Sequence, residues 1–201
     1  MYKRQVTAHV TIQGERIKST SSLKLLGFMF GSEPNVNEHV CEIKRKFRAR
    51  FWSLIHLRKS GFRGWELFKF FNIFIRPVIE YCSVIYHPML TCSQSRDLEH
   101  MQKQAAKLSF GWDKSYEVIC AEQNLATLEE RRKIYIDNFV KKTVNNPRFR
   151  DAWYPLRDVP DQNMRNRRPF IETKARTDRY YKSPLSYLRR RANDLATGPA
   201  D

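Results

Sequence analysis

The side chains best suited to chemistry in this chain are basic and aromatic residues set side by side: Arg148-Phe149-Arg150, Trp153-Tyr154, Arg167-Arg168-Pro169-Phe170 and Arg179-Tyr180-Tyr181-Lys182. Cations neutralise phosphates and rings stack on bases, so this mixture suits single-stranded nucleic acid, each stacked base contributing on the order of 1 to 3 kcal/mol. The competing reading is an arm whose aromatics dock on the rest of the fold. A second group sits on a predicted helix. At 100° per residue, Arg45, Arg48, Trp52 and Lys59 fall within about 60° of one another, beside the apolar positions Val40, Ile43, Phe47, Phe51 and Leu54. They form a basic edge with one aromatic; the bland alternative is a solvated flank with Trp52 tucked against a neighbour.

No motif supports catalysis. The sequence has no glycine-rich phosphate loop, no G-x-S-x-G elbow, no H-E-x-x-H, and no closely spaced aspartates able to hold two divalent ions about 4 Å apart. Asp97, Asp113 and Asp137 stand alone. Cys41, Cys82, Cys92 and Cys120 are scattered, without a C-x-x-C pair or a histidine pair at ligand spacing, so they are read as reduced, small core residues. His39, His56, His87 and His100 are equally isolated.

Charge points the same way as the basic–aromatic clusters. Of the 201 residues, 37 are Lys or Arg against 21 Asp or Glu, a formal net charge of +16 that favours a polyanionic partner. Residues 141–191 are the densest part, with 15 Lys and Arg against 5 Asp and Glu. The most apolar window, residues 67–79, is short and broken by Lys69, Asn72 and Arg76, and no basic leader with an apolar stretch opens the chain. Neither a signal peptide nor a membrane span is expected, which implies an intracellular setting and no membrane partner.

The elements that must position these side chains are mostly helical. Residues 5–12 alternate apolar and polar, Gln13-Gly14 supplies a turn and residues 15–18 return, a β-hairpin; residues 22–30 read as a third strand. Asn35-Val36-Asn37-Glu38 has capping-box spacing and opens a helix to Lys59, stopped by Gly61 and Gly64. A second helix runs over residues 65–86 with a kink at Pro77, where a backbone donor is missing. Further helices follow from Ser93 or Ser95 to Gly111, over residues 116–123, and from the Thr127-Leu128-Glu129-Glu130 capping box to Asn145-Asn146-Pro147. Residues 148–182 turn polar, arginine-rich and proline-punctuated, a linker or partner-ordered arm, before an amphipathic helix over residues 184–195. The fold class is therefore mainly α, a helical bundle with a short N-terminal antiparallel β-sheet.

Taken in order, four segments resemble the region downstream of the catalytic core in reverse transcriptases of non-LTR (LINE-type, jockey-like) retrotransposons. Leu23-Lys24-Leu25-Leu26-Gly27-Phe28 is similar to the family's K-x-L-G strand, and Asn37-Glu38-His39-Val40 to the opening of the next helix. Residues 74–88, with Phe74-Ile75-Arg76-Pro77-Val78-Ile79-Glu80-Tyr81, are similar to its F-I/V-R-P-I/V-L/I-E-Y run, and residues 125–132 fall within its L-x-x-L-x-x-R-R pattern. Ser183-Pro184-Leu185 and Asn193 match its end. The likeness covers residues 15–195.

The resemblance implies palm-end strands over 1–32, with Leu26 and Gly27 at a primer grip, a helical thumb over 33–92, a helical connector over 93–147 and a basic arm with a terminal helix over 148–201. Nucleic acid would meet Leu26, Gly27, Arg45, Arg48, Trp52, Lys59, Arg167, Arg168 and Arg179. The family's catalytic aspartates do not precede Leu25 here, so the expectation is a carboxy-terminal piece of an RNA-directed DNA polymerase. It would bind an RNA or DNA template–primer together with the palm and fingers, without a small-molecule substrate. No cofactor is expected in this chain, since magnesium would belong to the palm. Two other readings stay open: a basic helical structural or interaction protein without a nucleic-acid role, and an intact polymerase.

Overall fold

The computed structural model describes residues 11–16, 20–31, 35–157, 168–172 and 174–197. The chain is mainly helical, with two short antiparallel hairpins among the described residues of its N-terminal side. The first pairs β1 (Thr11–Ile12) with β2 (Glu15–Arg16); the rest of the predicted first hairpin, residues 5–10 and 17–18, lies outside the described residues. The second corrects an expectation. Residues 22–30 are not one strand: β3 (Ser22–Leu25) folds back on β4 (Phe28–Gly31) through Leu26 and Gly27, whose φ angles are 48° and 86°. Positive φ at both central residues is the tight hairpin turn that matches strand twist, and Gly27 adopts it without a Cβ penalty. Leu23 and Leu25 consequently face solvent, and Phe28 carries the burial.

Helix α1 (Asn37–Lys59) buries Val40, Ile43, Phe47 and Leu54. Its start is also a correction, because Asn35 does not make the reciprocal capping box. Its Oδ1 accepts from the Asn37 amide only two residues on, at 3.0 Å, while buried Val36 occupies the cap position. Gln94 Nε2 donates to Asn37 Oδ1 at 2.7 Å, which ties this helix start to the fifth helix.

The predicted second helix is four pieces: α2 (Gly64–Phe70), a π turn (Phe71–Ile75), α3 (Arg76–Glu80) and α4 (Ser83–Tyr86), followed by a 3₁₀ turn, His87–Met89. Pro77 is not where the helix breaks. The Arg76 amide donates to the Phe71 carbonyl, five residues back, so the ladder has already widened, and Pro77 falls in the first turn of α3 where an N–H is dispensable. The break comes after it, at extended Tyr81 (ψ 131°) and left-handed Cys82 (φ 58°). The buried Tyr86 hydroxyl donates to the Ile79 carbonyl across that break.

Helix α5 (Cys92–Phe110) starts with a capping box between Thr91 and Gln94 and ends at Gly111. Then come α6 (Tyr116–Gln123), α7 (Leu128–Val144), opened by the Thr127/Glu130 capping box, α8 (Pro147–Trp153), α9 (Asp178–Tyr181) and α10 (Pro184–Thr197). None of the described helices is long and apolar enough to cross a membrane. Cys41 and Cys92 correct the core reading of the cysteines, since both are exposed, at positions off the buried stripes; Cys82 and Cys120 are partly buried.

Two cores result. The larger joins Phe28, α1, the helices around the π turn, α5 and Leu128; the smaller joins Ile136 and Val140 of α7 to Tyr154, Phe170, Leu188 and Ala192. Residues 148–182 are therefore not a free linker where they are described. Tyr154 and Phe170 are buried, a bridge pairs Leu156 with Phe170, and the Asn193 side chain clamps the Phe170 backbone, accepting from its amide at 2.9 Å and donating to its carbonyl at 3.1 Å. Local polarity masked this, because the burial falls on a few well-spaced rings.

Helix α7 spans both cores, and Arg131 and Arg132 lie near its start. Arg131 forks onto Glu80, with Nη2 3.2 Å from Oε2. Arg132 is 1% exposed; its Nη2 donates to Ser95 Oγ at 3.0 Å and its Nε to His87 Nδ1 at 3.3 Å. Nδ1 can accept only when the imidazole is neutral. Burial, and next the Arg132 charge, push the His87 pKa down to about 4. The unfolded chain then binds more protons than the folded one between about pH 4 and 6.5, so stability rises with pH across that window. Thermal unfolding should lose on the order of 1 to 3 kcal/mol on acidification from pH 6.5 to 4 through this group. His87→Gln should flatten that dependence, and an unchanged slope would contradict the assignment.

Candidate nucleic-acid interface

Along α1 the buried stripe faces α2, α3 and α5, which leaves a polar edge on either flank. On one flank a groove of about 480 Å³ opens between α1 and α5. Phe47, Phe51 and Met101 line its floor. Lys44, Arg48 and Trp52 stand on the α1 wall, and Asp97, His100 and Gln104 on the α5 wall. Lys44 Nζ meets Asp97 Oδ2 at 2.6 Å, closing one end with a bridge between the helices.

Arg48 has no ion-pair or hydrogen-bond partner among the described residues, and Trp52 is 61% exposed, touching only the His56 ring, 5.9 Å between centroids, among the ring contacts of these residues. The expectation of a tucked indole is thus corrected: an aromatic face stands in solvent one turn from a free guanidinium. Such a pair can stack on a base while neutralising the phosphate beside it.

The predicted residues separate into groups. Arg48 and Trp52 share the groove. Arg45, on the same helix, is occupied: its Nε and Nη2 fork onto Glu42 at 2.7 and 2.9 Å. The Arg45 hydrogen bond foremost, then the Arg45, Lys46 and Lys24 charges, hold the Glu42 pKa down to about 2. Lys59 is exposed in the last turn of α1, without an ion partner among the described residues. Leu26 and Gly27 lie on the other flank, in a cavity with Lys46 and Arg50. The Tyr81 hydroxyl donates to the Leu26 carbonyl, and a Cβ on Gly27 would stand 3.3 Å from Tyr81 Cε1, so the turn is seated on the helix break while the Leu26 side chain, 85% exposed, points to solvent.

Arg167 lies outside the described residues. Arg168 is paired with Glu172 at 3.0 Å and lines a separate cavity beside α10, while Arg179 is exposed on α9. Neither lines the α1–α5 groove. Of the arm aromatics, Trp153 and Tyr154 pack inward and Tyr181 is covered by the Arg190 guanidinium, 3.5 Å from its centroid. Sequence reasoning missed His100 and Gln104; with Lys103 and Lys107 they recur at helical spacing on α5, the one local sign of a second wall. Among the described residues no group of three His, Cys, Asp or Glu side chains could hold a metal ion.

Exposure of Trp52 has a direct consequence. Trp52→Ala should change stability by less than about 0.5 kcal/mol, whereas Phe47→Ala on the groove floor should cost about 3 to 5 kcal/mol, measured by denaturant unfolding. A large loss in Trp52→Ala would mark the indole as a packing residue.

Comparison of the chain with protein-family models, with curated proteins and with solved structures finds no match.

Proposed function

We propose that this chain is a nucleic-acid-gripping helical module of the thumb-and-connector kind found in non-LTR retrotransposon reverse transcriptases. It holds a template–primer of RNA or DNA, and nucleotide addition belongs to a palm and fingers acting with it. The observation that carries the reading is the α1–α5 groove, where the unpaired Arg48 and the exposed Trp52 stand over an apolar floor in a chain of net charge +16. The order of the resembling segments adds support, as does the contact between two of them, the Glu80 and Arg131 side chains.

Binding of this kind depends steeply on salt. Each neutralised phosphate adds about 0.9 to the slope of log K against log salt on duplex and about 0.7 on single strands. Fluorescence anisotropy with a labelled hybrid duplex and a single strand, at several salt concentrations, should give linear plots. Arg48→Glu should lower the slope by about 1 or more, and Trp52→Ala should weaken single-strand binding by roughly 1 to 3 kcal/mol. Binding indifferent to salt, or undetectable, ends the reading.

A second reading, a basic helical interaction protein, is favoured by one observation: Leu23, Leu25, Leu26, Ile73, Phe74 and Tyr81 are large, apolar and exposed. Light scattering separates the two. A stable oligomer without affinity for nucleic acid supports the second, and a monomer that binds in the groove supports the first.

A further inference from the structure

A different cavity, about 740 Å³, opens between the π turn and α3 on one side and α7 on the other. Asn72, Arg76, Glu80, Arg131, Tyr135 and Lys142 supply its charged and polar character, and Glu80 is the only acid among its lining residues. Three cations therefore face one carboxylate. That carboxylate is already engaged: Arg131 forks onto it and the Tyr135 hydroxyl reaches Oε2 at 3.2 Å. Arg76 Nε stays 3.9 Å from the same oxygen, beyond hydrogen-bonding distance, and Arg76 has no hydrogen bond among the described residues although its side chain is only 19% exposed. Asn72 Oδ1 is buried and unpartnered as well.

The Arg76 guanidinium thus keeps its donors open to the cavity, none of them sealed from solvent and none taken by a protein acceptor among the described residues. Burial, and next the Arg131 charge, disfavour the Arg76 cation, so the fold carries a cost that a bound anion would relieve. Lys142 stands exposed on the rim without an ion partner among the described residues. We propose that this cavity binds a phosphomonoester, with Arg76 taking two of its oxygens in a fork and Lys142 a third. The surplus of two cations over Glu80 matches a group that carries about −1.5 to −2 at neutral pH, and the planar guanidinium matches its oxygens. A phosphodiester, with one charge, leaves half of that surplus uncompensated. The site is separate from the α1–α5 groove and stands whether or not that groove binds nucleic acid.

The test is calorimetric titration of the full chain with inorganic phosphate at constant ionic strength, repeated on Arg76→Gln and on Lys142→Gln. The second substitution lies at the exposed rim and leaves the packed part of the cavity intact. Saturable binding that weakens by about 10-fold or more in each variant is expected, the equivalent of one charge-assisted contact. Absence of saturation, or equal affinity in wild type and both variants, overturns the proposal. Oligonucleotides with a 5′-phosphate and with a 5′-hydroxyl then identify the source. Preference for the phosphorylated strand, lost in Arg76→Gln but kept in Trp52→Ala, supports the site as one for strand ends. Phosphate binding without that preference supports it as one for small phosphorylated molecules.

Discussion

Arg131 and Arg132 sit where α7 leaves the larger core and enters the smaller one, and each engages a different part of the chain. Arg131 grips Glu80 at the end of α3, just before the helix breaks at Tyr81 and Cys82. Arg132 is sealed inside, held by a neutral histidine and a serine, with Nη1 lacking a partner and no carboxylate bonded to it among the described residues. A buried guanidinium is expensive, and removal of one partner from a buried charged network typically costs about 3 to 5 kcal/mol. The arrangement persists because it fixes three elements at once: α3, the turn after α4, and the start of α5. Displacement of α7 would leave the buried Arg132 without its partners, so this helix ties the two cores together.

That constraint reaches the groove indirectly. The α5 wall carrying Asp97, His100 and Gln104 belongs to the helix whose Ser95 bonds Arg132, and whose start is joined to α1 through Gln94 and Asn37. The α1 wall is held by Phe47 and Leu54 in the larger core. Between them the two helices pack on one side and are joined by the part-exposed Lys44–Asp97 bridge on the other. Arg48 and Trp52 are then presented from a rigid helix rather than from a loop, which lowers the ordering cost of a contact. Arg45 shows how narrow the presentation is. Three residues away on the same edge, a single carboxylate at Glu42 draws its guanidinium down onto the helix.

Much of this was legible locally. The ends of α5 and α7 follow from Gly111, Thr127 and Glu130, and the mainly helical class from the spacing of apolar positions. The basic edge of α1 was visible because its residues share one helix and need no tertiary knowledge to be grouped. What escaped lies at longer range. The hairpin at Leu26 and Gly27 looked like a continuous strand since leucine is an unusual residue at φ 48°, tolerated here where the turn rests on Tyr81. Pro77 pointed to a kink, yet a π turn placed just ahead removes the clash that a proline causes in a regular helix. The arm looked detached because its ordering comes from Asn193, Tyr154 and Phe170, residues separated by up to 39 positions in the sequence. The second wall of the groove was out of reach for the same reason, as the helical spacing of His100, Lys103, Gln104 and Lys107 marks a polar face without saying that it stands opposite Trp52.

The central claim is that nucleic acid lies in the groove between α1 and α5, and photo-crosslinking addresses it without altering a residue. A short RNA carrying 4-thiouridine, irradiated with the full chain and mapped by mass spectrometry, should attach to peptides containing Trp52 and to peptides covering residues 97–104, with the signal falling as salt rises. Efficient crosslinks confined to other parts of the chain, with both walls of the groove unlabelled, would contradict the account.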